Sequence, residues 1–379
     1  MKASALWIAI GLATQPQASE KPELGFFFTE LKTQAQAARQ DDRAFVEGKQ
    51  GWLFLARELE AFYDQSRPTE FKQAFEAIVD FHSQLQAAGI ELLLVPVPFK
   101  SALYAEKLAG VPAAAAWAQG ARLDSGLQQL YRRLGAKGVQ LVDLLPLFQQ
   151  QPESQSDPLY CRTDSHWSGR GLELTSQAIA ERIGLQSWAQ GKAQKKYLQQ
   201  KFSISLQGDL ERLARPDHPR EEILSLRFVQ DAAGNPPGTD RRSPVLLIGD
   251  SHCLVFHDPA LHAAGAGLPD HLAAQLGFPV DLLAVRGSGA NAVRLALRRR
   301  GDNLQGKRLV IWCLAAREFL QAGWKSIGIS RRGAEAQREA EEGRQKRGVG
   351  SQESGVRRWK QNSPLVSLPL RLCMKHSGR

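Results

Sequence analysis

The run Pro244-Val-Leu-Leu-Ile-Gly-Asp-Ser251-His252 constrains this chain more than any other stretch. Branched apolar residues in succession, with no polar interruption, require cover on both faces, as in a central strand of a parallel sheet. A glycine closes the run, and an acid, a hydroxyl and an imidazole follow. Ligands and catalytic groups collect at the carboxyl ends of such strands. A serine where a strand hands over to a helix can project its hydroxyl into a cleft backed by free backbone N–H groups. Yet a lone hydroxyl is barely ionised at neutral pH. A base, an orienting acid and an oxyanion seat must come from elsewhere in the chain.

Similar apolar runs near 90–97, 139–142, 280–285 and 308–314 join 245–249 to make five buried strands separated by helical stretches. This pattern predicts an α/β fold, an α/β/α sandwich around a five-stranded, mostly parallel sheet. Phe71, Phe75, Ile78, Phe81 and Leu85 share one face of a helix over Glu70–Ala88, with Thr69 as its N-cap. Further helices are expected over Pro22–Arg43 (Phe26, Leu31, Ala35 and Ala38 on one face), Asp124–Leu134, from Ser168 as cap to Ile183, and Ala290–Arg300. Gly48 to Leu55 reads as a glycine-bounded aromatic strand. The polar stretch 186–242 has no parallel-strand pattern and reads as an insertion beside the sheet. Right-handed crossovers put all the strand-end loops on one edge. Lys100, Asp164, His166, Ser251, Arg286 and Arg317 then meet there.

The formal net charge of +10 suggests nucleic acid until it is placed along the chain. Lys325 to Arg379 carries 13 Lys+Arg against 5 Asp+Glu, which leaves only +2 for everything before it. With no aromatic-basic module either, a nucleic-acid partner is not expected. Residues 333–379, rich in Gly, Ser, Arg and Glu without periodicity, read as a basic disordered tail. Residues 1–19 have one early positive charge, a short apolar run and small residues near Ala18-Ser19, the shape of a secretory signal or an N-terminal anchor. Residues 20–332 form the catalytic domain. Cys161, Cys253, Cys313 and Cys373 show no C-x-x-C spacing and read as packed thiols, with a disulfide as the alternative.

His166 is the base expected for Ser251, with Asp164 as its acid. Two residues apart on an extended loop, the two side chains point the same way, so the carboxylate can orient the ring and stabilise its charge. His252 is a rival base, but as the neighbour of Ser251 it points away. Asp164, His166, His252 and Cys253 have atoms suited to zinc, without any motif of known spacing; no metal and no cofactor are expected.

Together, Gly48-Lys-Gln-Gly-Trp-Leu-Phe, Val95-Pro-Val-Pro-Phe-Lys100, Arg162-Thr-Asp-Ser-His-Trp167 and Leu247-Ile-Gly-Asp-Ser251 resemble the AlgJ/AlgX family of the SGNH (GDSL-like) hydrolase superfamily, over roughly residues 45–320. The Asp-x-His pair precedes the serine here, the permuted order of that family. The resemblance implies a flavodoxin-like core and a triad of Ser251, His166 and Asp164. It also implies an acetyl-serine intermediate and acetyl transfer to hydroxyls of an exopolysaccharide such as alginate. Its expected partners are a polysaccharide acceptor, a membrane-bound O-acyltransferase that delivers acetyl, and other periplasmic acetylation proteins. The expected location is the periplasm, with a possible inner-membrane tether. The lack of room for a C-terminal carbohydrate-binding module places it nearer the AlgJ type. Beside the Ser251 N–H, Gly289 N–H and the Asn291 side chain are candidate oxyanion donors. Lys100, Tyr160, Trp167 and Arg317 either contact glycan or hold the strand-end loops and core. An acetylesterase and a non-catalytic glycan-binding component are the competing functions.

Overall fold

The computed structural model describes residues 21–329, apart from 66–70, 109, 111–121, 153, 155, 185, 187, 190–194 and 303. All of these lie in the compact unit Met1–Arg331. The expected leader (1–19), the basic tail, Thr69 and Cys373 fall outside the described residues.

The chain opens with a helix, Lys21–Gln40, and an antiparallel pair, β1 (Phe45–Glu47) and β2 (Leu53–Leu55). The inward face of that helix is one residue away from expectation. Phe27, Leu31, Ala35 and Ala38 are buried, and Phe26 is 56% exposed. Four residues bring a side chain back to nearly the same face, whereas the five from Phe26 to Leu31 do not. Phe27 and Phe28 pack edge-on against Phe62 of the helix Ala56–Asp64.

Five parallel strands follow: β3 (Glu91–Val97), β4 (Gln140–Leu141), β7 (Val245–Gly249), β8 (Asp281–Ala284) and β9 (Leu309–Ala315), in the order β4-β3-β9-β7-β8. Every residue of β7 and β9 is buried, as their uninterrupted apolar sequences require. Register aligns the carboxyl ends: Val97 pairs with Ala315, and Gly249 pairs with Cys313. The loops that leave β3, β7 and β9 therefore start side by side.

Gly249 is needed where it stands. A Cβ there would lie 1.8 Å from the Cys313 carbonyl oxygen and 2.6 Å from Cys253 Sγ. In the middle of β9, Trp312 packs on Phe81 and Trp324, and its indole N–H donates to the Gly289 carbonyl at 2.7 Å. Helices Lys72–Ala87, Ser125–Gly135, Gly169–Gly184, Leu268–Leu276 and Asn291–Arg300 supply the remaining cover. Ser168 caps the third of these as expected, through a long bond: its hydroxyl accepts the Gly171 N–H at 3.5 Å and donates to the Pro158 carbonyl.

The stretch taken as an insertion holds an antiparallel pair, β5 (Leu198–Leu206) and β6 (Glu222–Gln230), joined through a short helix, Asp209–Ala214. Nearly all of β5 is exposed, so it lacks the alternation that marks a half-buried strand. Cys161, Cys253 and Cys313 are buried free thiols. No helix among the described residues is long and apolar enough to cross a membrane.

Gly249→Ala is expected to cost about 1–3 kcal/mol or more through overpacking against Cys313. Urea unfolding of the variant beside the parent chain measures this; an unchanged midpoint would refute the close approach.

Candidate active site

The loop 160–167 is a pinched turn. Tyr160 and Trp167 bridge at its neck, the Cys161 N–H donates to the His166 carbonyl, and the Ser168 N–H to that of Leu159. Its tip, Arg162 to His166, is fastened from four directions. The Leu53 N–H of β2 donates to the Arg162 carbonyl at 2.8 Å. The buried Lys100 ammonium donates to the carbonyls of Leu53, Arg162 and Asp164 at 2.6, 3.0 and 3.0 Å. Glu222 of β6 accepts both the Arg162 and Thr163 N–H groups and the Thr163 hydroxyl. Asp209 accepts the N–H and the hydroxyl of Ser165 at 2.7 and 2.6 Å. Gly208 makes this approach possible, since a Cβ there would stand 2.1 Å from the Thr163 carbonyl oxygen.

The tip presents Asp164 and His166 to Ser251. Asp164 Oδ1 accepts His166 Nδ1–H at 2.6 Å, and His166 Nε2 lies 2.7 Å from Ser251 Oγ. The ring bonds the carboxylate on one side, so its other nitrogen is left as an acceptor for the serine proton. The second Asp164 oxygen accepts the Asp209 N–H and His262 Nε2–H, each at 2.8 Å. Burial by itself would raise the Asp164 pKa, but the charge and hydrogen bonds of His166 and His262 outweigh it and hold the carboxyl well below the usual range. Burial likewise disfavours a charged His166, and Asp164 outweighs it, so the imidazole titrates above its ordinary value.

On the serine side, Asp250 shapes the turn. It accepts His252 N–H and His252 Nδ1–H on one oxygen, and the Ala315 N–H at the end of β9 on the other. His252 therefore serves Asp250 and not Ser251. Burial pushes it down to about 4, with Asp250 opposing only in part, so it is neutral near pH 7. Its ring packs edge-on against His166 and Trp167 at 4.8 and 5.3 Å.

The structure separates the other expected residues from the triad's open side. Lys100 has all three protons on carbonyls, so it stitches β2 to the catalytic loop and offers none to a glycan. Tyr160 is buried and donates its hydroxyl to the Pro98 carbonyl at 2.5 Å. Trp167 is fully buried, and Arg317 is buried beside Glu58 at 3.5 Å. The Asn291 amide is occupied: it donates to the Gly323 carbonyl and accepts from Arg294 and the Lys325 N–H. It thus holds the 323–325 segment and leaves the oxyanion seat without a side-chain donor from that position. Gly289 does lie against the serine turn, where a Cβ would come within 3.2 Å of Asp250 N. Arg286 pairs with Asp258 at 2.6 Å. The zinc set also dissolves, because His252 is bonded to Asp250 and Cys253 is buried in the core. A different group, Asp164, His166 and Asp209, has ligand-type atoms within 4.8 Å of one another. Both Asp164 oxygens in it are already taken by N–H donors.

Sequence reading missed His262, Asp209 and Glu222. The last two sit in the stretch read as an insertion, and their roles appear only when β5 and β6 fold against the 160–167 loop.

Beside the Ser165 and Asp209 side chains lies a groove of about 480 Å³, lined also by Arg39, Arg43, Arg57 and Leu210. Arg39 pairs with Glu60 and Arg43 with Asp41. Arg57 has no hydrogen bond or ion pair among the described residues.

A family model, the SGNH hydrolase-like domain of acetyltransferase AlgX, matches residues 45–316. The chain belongs to this family. It is 26% identical over 233 residues to a probable alginate O-acetylase AlgJ of Pseudomonas fluorescens, a match covering 57% of this chain and 56% of the relative. The chain thus spans little more than half the length of that relative. The fold is also that of the O-acetyltransferase domain of Pseudomonas putida AlgJ (TM-score 0.55, 21% identity, 74% of this chain and 93% of that one). Pseudomonas aeruginosa AlgX is similar in fold as well (TM-score 0.55, 18% identity, 74% and 63%).

Two outcomes follow from this geometry. Lys100→Met leaves buried carbonyls of β2 and the catalytic loop without a donor, at about 1–3 kcal/mol each. It is expected to lower the melting temperature and abolish activity together; a stable, active variant would show that the ammonium is dispensable. Because the base must be neutral to accept a proton and His166 titrates above a free imidazole, kcat/KM should fall as pH drops through that raised value. A pH profile whose acidic limb lies below the free-imidazole range would remove His166 from the role.

Proposed function

We propose that this chain is a serine O-acetyltransferase that carries acetyl on Ser251 to hydroxyls of an exopolysaccharide such as alginate. The observation that carries this reading is the single file of Asp164, His166 and Ser251, bonded at 2.6 and 2.7 Å. Membership in the family supports the acyl chemistry, and the names of its relatives support the polysaccharide.

In the first half-reaction Ser251 Oγ attacks the acetyl carbonyl carbon of the donor while its proton passes to His166 Nε2. The resulting imidazolium is stabilised by Asp164, and it returns the proton to the departing donor oxygen. In the second half a sugar hydroxyl gives its proton to His166 as its oxygen attacks acetyl-Ser251, and Ser251 leaves and is reprotonated. Each tetrahedral intermediate places negative charge on the former carbonyl oxygen. The Ser251 N–H, at the opening of its 3-10 turn, is the donor proposed for that charge, with the N–H of Gly289, whose backbone packs against Asp250, as the second.

The groove at Ser165 and Asp209 is the acceptor's seat in this reading. Ser165, the neighbour of His166 in the loop, lines it together with Asp209. Arg57, which makes no hydrogen bond or ion pair among the described residues although Glu318, Glu58 and Asp209 act on it electrostatically, suits a uronate carboxylate. In this reading a membrane-bound O-acyltransferase delivers the acetyl donor, the setting is the periplasm, and the companions are other periplasmic acetylation proteins.

Incubating the chain with an activated acetyl ester and a uronate oligosaccharide, followed by mass spectrometry, tests this. Acetylated sugar should form with the parent chain, and Ser251→Ala should yield neither acetylated sugar nor acetyl-protein. Sugar acetylation by Ser251→Ala would overturn the serine mechanism, and hydrolysis with no acetylated sugar under any acceptor would make the chain an esterase. Arg57→Ala should raise KM for the uronate acceptor about tenfold, the loss of one charge-assisted contact, with little change for a neutral oligosaccharide.

A further inference from the structure

The Asp164 carboxylate does not end the chain of hydrogen bonds that starts at Ser251. Oδ1 takes the backbone N–H and Nδ1–H of His166; Oδ2 takes the Asp209 N–H and approaches His262 Nε2 at 2.8 Å. An ionised carboxylate can only accept, so His262 places its proton on Nε2. The His262 side chain is only 6% exposed, and it reaches Asp164 from 98 residues away in sequence.

Its backbone makes this contact informative. His262 has φ 81° and ψ −40°, a conformation that an L residue seldom adopts and that costs about 1–3 kcal/mol. Glycine would hold the same backbone at lower cost. The loop has its own supports nearby: Phe256 N–H to the Leu261 carbonyl, Ala266 N–H to the Phe256 carbonyl, and Asp258 accepting the Ala260 N–H and pairing with Arg286. The imidazole's own polar contact is with Asp164. The turn therefore keeps a strained, buried histidine where a smaller residue would satisfy the backbone.

We propose that His262 is a positioning residue that extends the triad to four, holding Oδ2 of Asp164 so that Oδ1 stays aligned with His166 Nδ1–H. It touches neither Ser251 nor the reacting carbonyl. Its contribution, added to that of the Asp209 N–H on the same oxygen, is to fix the carboxylate rotamer and to fill the remaining acceptor site of Oδ2. This rests on the acyl-transfer reading above.

The test uses the full chain with the activated acetyl ester and uronate oligosaccharide, and compares His262→Phe, which removes the N–H, with His262→Gln, which keeps one. His262→Phe should lower kcat about 10- to 100-fold, the range seen when outer hydrogen-bond partners of a site are removed, with KM within about twofold. It should also shift the low-field proton resonance of His166 Nδ1–H, and His262→Gln should recover most of kcat. Equal kcat for His262→Phe and the parent, or an equal loss in both variants that follows a lowered melting temperature with the resonance unmoved, would overturn the proposal. A nitrogen-15 spectrum of the unsubstituted chain decides it independently of folding, because His262 protonated on Nδ1 alone is incompatible with the contact. Ser251→Ala run in parallel separates the two readings. Activity in that variant removes the serine mechanism itself, whereas an inactive Ser251→Ala beside a fully active His262→Phe removes only the role of His262.

Discussion

The site depends on one buried carboxylate. Asp164 is fully enclosed, and an unpaired charge at such a position would be neutralised by a large pKa shift. It stays ionised because N–H groups from three places converge on it: its own loop through His166, the short helix 209–214 through the Asp209 N–H, and the loop after the nucleophile through His262. Each of those segments must be in place for the carboxylate to keep its charge, and the charge in turn keeps them in place. The acid of the triad is thus also the point at which three parts of the chain are locked together.

Around it, the protein uses buried charge as a fastener for backbone. Lys100 and Glu222 spend their side chains on the peptide groups of 162–164, and Asp209 spends its carboxylate on Ser165. A polar loop withdrawn from water must have its peptide groups paired, and a loop held by several ionic hydrogen bonds has little freedom left to lose. That rigidity suits catalysis, since the 2.7 Å approach of His166 to Ser251 is set before any substrate arrives. Lys100, Tyr160, Trp167 and Arg317 belong to this scaffold rather than to the surface that meets a ligand.

The meeting of Asp164, His166 and Ser251 and the sheet were legible in the sequence because each has a local signature. Val245 to Ile248 is apolar without interruption, which only a strand covered on both faces tolerates, and the Asp-x-His spacing puts two side chains on the same side of an extended loop. The face of the first helix was misread at Phe26 for want of one residue of phase. The hairpin of β5 and β6 was missed although Leu224-Ser-Leu-Arg-Phe228 alternates as a half-buried strand does; it is short, and the exposed Leu198, Phe202 and Ile223 blur the pattern around it. His262 carries no motif at all.

By itself the sequence determined the elements: the strand that ends in Gly249-Asp250-Ser251, the loop that holds Asp164 and His166, and the order in which they occur. These follow from hydrophobic period and residue spacing, which act over a few residues. Tertiary structure decided the partners. It gave His252 to Asp250, Lys100 to three carbonyls, Asn291 to the 323–325 segment, and His262 to Asp164. Those assignments depend on which donors and acceptors are brought together as water is excluded, and apart from the local pair of His252 and Asp250 they span 32 to 98 residues of chain, which leaves no trace in local pattern.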